Sequence, residues 1–177
     1  MIVDVNVHLS RWPFRRLACD ELPKMIEKLQ AGGVNQAWAA SFDGVFHKDV
    51  AAVNSRLAAD CRKARPGTLL PFGTVNPTLP DWREDVRRCH EEYKMPGIRL
   101  YPGYHGYGLD SPDLTELLTM AEERGLVVQV AIRLEDTRMQ HPLMRVEDVD
   151  PKPLAELVAA RPKLRLVVLN ALKGVRG

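Results

Sequence analysis

The sequence predicts an α/β protein, a parallel TIM-barrel-like (β/α) sheet with about six of the eight strand–helix units of a full barrel. Three observations carry that prediction. Short apolar runs rich in valine, isoleucine and leucine alternate with longer helical patterns along the whole chain, which is the signature of a parallel sheet covered by helices. The first loop, His8-Leu9-Ser10-Arg11-Trp12-Pro13, has no glycine, whereas an open dinucleotide-binding sheet carries a glycine fingerprint there. The clearest irregular stretches, 102–112 and 135–153, both follow predicted strands, the end where (β/α) barrels place their chemistry.

The elements follow in order. Residues 2–7 form a buried-strand run. Asp20 offers an N-cap side chain to a helix whose Leu22, Met25, Ile26 and Leu29 fall at helical spacing. Gly32–Gly33 end it. Residues 34–40 are the second strand. Residues 48–64 are the second helix, with Val50, Val53, Asn54, Leu57 and Cys61 along one face. Residues 69–75 are the third strand. Pro80 opens the third helix, where its missing N–H costs little. Strands at 97–101, 126–132 and 164–169 alternate with helices at 113–124 and 151–161. A helix should follow the sixth strand, and residues 172–177 hold only its approach. The chain therefore predicts a single domain over 1–177 that is incomplete at its C-terminal end, since eight units usually take ~250 residues.

Composition narrows the function. The chain is 45% hydrophobic and 27% charged with a net charge of +2, which supplies no long-range field for nucleic acid or a membrane surface. No apolar run approaches a membrane span. Asp4 interrupts the N-terminal apolar run as no signal peptide would. Cys19, Cys61 and Cys89 are odd in number and widely spaced, so they are expected as free thiols in the cytoplasm. The expected partner is a small-molecule substrate, without nucleic acid or membrane. Exposed sheet edges of a six-unit barrel further predict a homo-oligomer.

Asp4, Asn6 and His8 alternate along the first strand, which points all three to one face, the barrel interior. Polar groups there must be satisfied or used, so they are candidate catalytic groups. Arg99 and Tyr101 share a face of the fourth strand. With Tyr104 and His105 in the aromatic loop that follows, they could clamp a carboxylate, because the arginine fork matches it. Gln129, Ala131 and Arg133 share a face of the fifth strand, so Gln129 and Arg133 are expected to line the interior. Glu135, Asp136, Arg138 and His141 could supply acid–base groups. No GxSxG elbow, P-loop or HExxH occurs, and neither Ser10 nor Ser41 has the context of a nucleophile.

Ile2-Val3-Asp4-Val5-Asn6-Val7-His8 resembles the first-strand motif of the amidohydrolase superfamily, in which two histidines one residue apart bind a divalent metal. Gly97-Ile98-Arg99-Leu100-Tyr101-Pro102, Gly125-Leu126-Val127-Val128-Gln129-Val130 and Pro162-Lys163-Leu164-Arg165-Leu166-Val167-Val168 are similar to strand signatures of its amidohydrolase-related, decarboxylase-like branch. The resemblance covers essentially the whole chain. It implies a barrel enzyme with one divalent ion, zinc or manganese. The departures are specific: Asn6 replaces the first histidine, Ala131 stands at the fifth-strand position, Asn170 follows the sixth strand, and the eighth-strand aspartate lies beyond residue 177. Only His8 remains as a metal ligand, so no tightly held ion is expected.

Two readings follow. The first is an amidohydrolase-like hydrolase for a small carboxylate-bearing substrate at the C-terminal mouth of the barrel. Its catalytic groups are His8, Asn6, Asp4 and His105; Arg99, Tyr101, Tyr104, Gln129, Arg133 and Asn170 bind substrate. The alternative is a catalytically inactive barrel relative that serves as a binding or assembly module.

Overall fold

The computed structural model describes residues 1–171. The expected approach to a further helix at 172–177 lies outside them. Six strands, β1 (Val3–Leu9), β2 (Gln36–Ser41), β3 (Leu69–Thr74), β4 (Gly97–Leu100), β5 (Val127–Ala131) and β6 (Arg165–Leu169), pair in sequence order. All five pairings are parallel. The helices between them are α1 (Leu22–Ala31), α2 (Asp43–Phe46), α3 (Val50–Lys63), α4 (Trp82–Glu91), α5 (Pro102–His105), α6 (Pro112–Glu123) and α7 (Leu154–Ala159), with a single 3-10 turn at Thr137–Met139. The sheet curls into a partial (β/α) barrel, because right-twisted parallel strands feeding right-handed helices close in one direction only.

Alternation sorts the strand residues. Ile98, Leu100, Val128 and Val130 pack outward with Leu114, Leu117 and Leu118 of α6. Val7, Leu9, Ala37 and Ala39 pack outward with Leu29 of α1 and Leu57 and Cys61 of α3. The inner residues are then Trp38, Phe72, Thr74, Arg99, Tyr101 and Gln129. Trp38 stacks on Phe72 with ring centroids 4.8 Å apart. Gly97 is required beside them: a Cβ there would meet Phe72 Cε1 at 2.3 Å and the Val127 carbonyl at 2.4 Å.

The expected helices are present, most of them with shorter ends, and the one expected at 113–124 is shifted by one residue to Pro112–Glu123. The third begins at Trp82 rather than Pro80, and the one expected at 151–161 spans Leu154–Ala159. Asp20 does not cap α1. Its carboxylate is held by the Arg16 guanidinium, and Glu21 precedes the helix without a side-chain cap. Buried Asn54 of α3 ties that helix to the sheet. Its amide donates to the Thr74 carbonyl and its oxygen accepts the Thr74 N–H, both at 2.8 Å.

Candidate functional site

The site is built on a bulge in the first strand. Val3 pairs with Gln36 and Asp4 with Ala37. The register then slips, so that Val7 meets Ala39 and His8 meets Ala40. Ala37 lies in the outer core with Val7 and Leu29, and Ala40, three residues on, faces the other way. Asp4 and His8 therefore stand on opposite faces of β1, not on the single face expected from unbroken alternation. One extra residue in a strand re-aims every side chain beyond it. Asp4 Oδ1 accepts the Asn6 N–H at 2.9 Å and stabilises the turned backbone.

Arg99 fills the centre. Its side chain is fully buried, and all five N–H donors of a guanidinium have partners. Nε donates to Gln129 Oε1 at 2.7 Å. Nη2 donates to the carbonyls of Val5 at 3.0 Å and Trp38 at 3.1 Å. Nη1 donates to the Val7 carbonyl at 3.1 Å and lies 3.2 Å from His8 Nε2. Gln129 is also buried, and its amide donates to the Val5 carbonyl at 2.7 Å. Two inner side chains thus satisfy carbonyls at the β1 bulge from across the barrel. Burial lowers the Arg99 pKa from 12.5.

His8 stacks on Phe42 at 4.4 Å, and its Nε2 lies 3.1 Å from the Tyr101 hydroxyl. A guanidinium only donates and meets the ring at both nitrogens, Nε2 at 3.2 Å and Nδ1 at 3.4 Å, so we assign Nε2 as the acceptor and the imidazole proton to Nδ1. Burial first, then the Arg99 charge, hold the imidazolium pKa well below 6.5. Burial pushes the Tyr101 phenol up to about 12.

Above this centre the mouth is filled with aromatic rings. Trp12 packs edge-on against Phe42 at 5.1 Å and Tyr104 at 6.0 Å, and lies 5.3 Å from Phe46. Tyr104, Tyr101, Val45 and Ala131 belong to one apolar cluster. His105 Nε2 donates to the Gly44 carbonyl at 3.1 Å, while its Nδ1 is buried without a partner. Burial lowers its pKa to about 4. Trp12 Nε1, Thr74 Oγ1 and the Tyr104 hydroxyl are likewise buried without partners. Ser10 and Ser41 hydroxyls lie 3.1 Å apart and both accept the Asp43 N–H at the start of α2.

The remaining expected residues sit at the rim. Asn170, in the left-handed region at φ 58°, accepts from Asn6 Nδ2 at 3.0 Å and donates to the Arg133 carbonyl at 2.6 Å. Arg133 pairs with Asp148 at 2.6 Å. Glu135 pairs with Arg15 at 2.6 Å, and Asp136 pairs with Arg138. His141 stacks on Phe14 at 5.2 Å.

A cavity of about 380 Å³ opens beside β1 and is lined by Asp4, Asn6, His8, Cys19, Asp20 and Lys28, among others. Because β1 is an edge strand among the described residues, one cavity meets both its faces and so reaches Asp4 and His8 together. Asp20, Cys19 and Lys28 were missed in the sequence. They lie in the first loop and α1, and no motif links them to β1.

A sequence profile of the amidohydrolase family matches residues 8–169. This chain belongs to the amidohydrolase family. Among curated protein sequences none matches. Solved structures share the fold. A 2,6-dihydroxybenzoate decarboxylase from Rhizobium superposes with a TM-score of 0.69 at 16% identity, covering 94% of this chain and 65% of its own. A 5-carboxyvanillate decarboxylase from Novosphingobium aromaticivorans, with bound manganese, gives 0.67 at 18% identity over 95% and 65%. A dihydroxybenzoic acid decarboxylase from Polaromonas sp. JS666, also with manganese, gives 0.70 at 12% identity over 94% and 64%. The chain spans about two thirds of the length of these relatives.

The residues of this amidohydrolase-family chain do not fit the divalent metal that the family implies. Among the described residues no three His, Cys, Asp or Glu converge on one point. Neither Asn6 nor Asn170 can supply an imidazole, Ala131 has no donor, and a guanidinium faces the His8 ring. No helix among the described residues is long and apolar enough to cross a membrane.

Proposed function

We propose that this amidohydrolase-family chain hydrolyses a small carboxylate-bearing substrate in the cavity beside β1. The observation that carries the proposal is that cavity: about 380 Å³ of space in which a neutral imidazole, a carboxylate, an amide and an ammonium are brought together. That volume suits a small molecule.

Each group has a chemistry. Lys28 has no carboxylate within ion-pair distance among the described residues, so it anchors the substrate carboxylate. The His8 Nδ1–H donates to the carbonyl oxygen, where negative charge develops. Asp4 takes the proton of the attacking water. The Asn6 amide holds the substrate beside it. Arg99 and Tyr101 hold the His8 ring. His105 and Tyr104 support the mouth, and no step passes through a metal.

The test is turnover of a panel of carboxylate-bearing lactones, amides and hydroxybenzoates, followed by NMR, on the protein as purified. His8→Ala and Asp4→Asn are expected to lose turnover. Lys28→Ala is expected to raise KM about tenfold with kcat retained, the loss of one partly screened ion pair. Full turnover by His8→Ala would sink the assignment, and carbon dioxide as product would replace hydrolysis by decarboxylation.

A further inference from the structure

The centre of the partial barrel is held together by polar side chains that cross it. Arg99 and Gln129 reach from β4 and β5 to the carbonyls of Val5 and Val7 on β1. Asn6 of β1 bonds Asn170 beyond the end of β6, 164 residues away. Each contact joins the first strand to strands far from it in the sheet. A divalent cation bound by ligands from β1, β5 and β6 would make the same connection.

We propose that the Arg99 guanidinium is the resident cation of this site, and that it excludes a divalent metal. The location rests on reading the His8 cavity as the functional site; the exclusion does not depend on any activity. Arg99 is anchored on every donor: Gln129 on Nε, Val5 and Trp38 carbonyls on Nη2, and the Val7 carbonyl with the His8 ring on Nη1. It cannot swing aside without stranding buried acceptors. An ion on His8 Nε2 would have to share that nitrogen with a guanidinium nitrogen 3.2 Å away, so two cations would meet at one ring nitrogen. The two asparagines complete the exchange. Their neutral amides bond one another directly and need nothing between them. Arg99 thus acts as a positioning residue: it fixes the ring of His8 and holds β1 in its bulged form.

The experiment compares metal uptake with and without the guanidinium, by calorimetric titration with Zn²⁺ and Mn²⁺ and by elemental analysis. The wild-type chain is expected to bind neither ion stoichiometrically, and its melting temperature is expected to ignore chelator. The triple variant Asn6→His, Ala131→His, Asn170→His restores a ligand set but keeps Arg99, and is expected to remain metal-free. Adding Arg99→Gln to that triple variant is expected to give one ion per chain. Stoichiometric metal on the wild-type protein, lost in His8→Ala, would overturn the proposal. So would tight binding by the triple variant with Arg99 intact. If the substituted chains fail to fold, stoichiometric metal on the wild-type chain still overturns the proposal. None of these readouts uses a substrate, so their outcome is separate from that of the hydrolysis assay.

Discussion

Lowering the pH should stress this protein through His105, and the size of the effect follows from its surroundings. The Gly44 carbonyl can only accept, so the Nε2 that meets it at 3.1 Å carries the proton. Nδ1 is buried and has no partner, so a second proton gains neither water nor a bond there. That is why burial takes the pKa from 6.5 to about 4. The unfolded chain binds the proton as pH falls through 6.5, while the folded chain refuses it until about 4. Stability is therefore lost across that window, by roughly 3 kcal/mol when complete. Half-buried His8 shifts in the same direction. Asp85 works against them. Burial raises its pKa from 3.8 to about 6, so the folded chain binds that proton first. Stability is gained as pH falls from 6 towards 3.8, again by roughly 3 kcal/mol. Asp85 thus offsets about one histidine, and the wild-type curve keeps a net loss on acidification from the other. Substitution separates them: His105→Gln should flatten the loss on acidification, and Asp85→Asn should expose it. Urea unfolding at half-unit steps from about pH 4.5 to 7 reads both as differences in ΔG. Parallel curves for wild type and His105→Gln would refute the reasoning.

Two further perturbations test how the scaffold holds the site. Asn54→Leu leaves the buried N–H and carbonyl of Thr74 without their side-chain partner and should cost about 2–4 kcal/mol; thermal unfolding would show this as a drop on the order of 2–4 °C per kcal/mol, and a drop under about 2 °C would count against it. Gly97→Ala drives a methyl into the Phe72 ring and the Val127 carbonyl, so it should destabilise by at least ~1–3 kcal/mol through overpacking, measured as a lower urea midpoint.

Much of the architecture could be read in advance because it depends on local pattern. The run Leu126–Ile132 is nearly continuous valine and leucine, and a strand buried on both faces has to look that way. The register assigned to β4 and β5 from alternation holds: Arg99 pairs with Gln129 and both face inward. Resemblance to the amidohydrolases could be read because strand signatures survive as short contiguous strings. The site was less legible. Asp4, Asn6 and His8 alternate in sequence, but the slip between Asp4 and Val7 puts Asp4 and His8 on opposite faces, and no residue type in Val5-Asn6-Val7 announces a bulge. Asp20 looks like a helix cap, yet Arg16, four residues before it, takes its carboxylate.

The sequence by itself determined the order of strands and helices, the direction of pairing, the family, and the presence of Asn6, Ala131 and Asn170 where the resemblance implies histidines. These depend on periodicity and on residue identity, both of which are local. Only the tertiary structure decided what the residues at those positions contact. Asn6 and Asn170 are 164 residues apart and bond directly. Arg99, which the sequence presents as a free carboxylate clamp, spends all five donors on Gln129, His8 and three backbone carbonyls. A buried charge has to find partners wherever the fold brings them, and that accounting closes only in three dimensions.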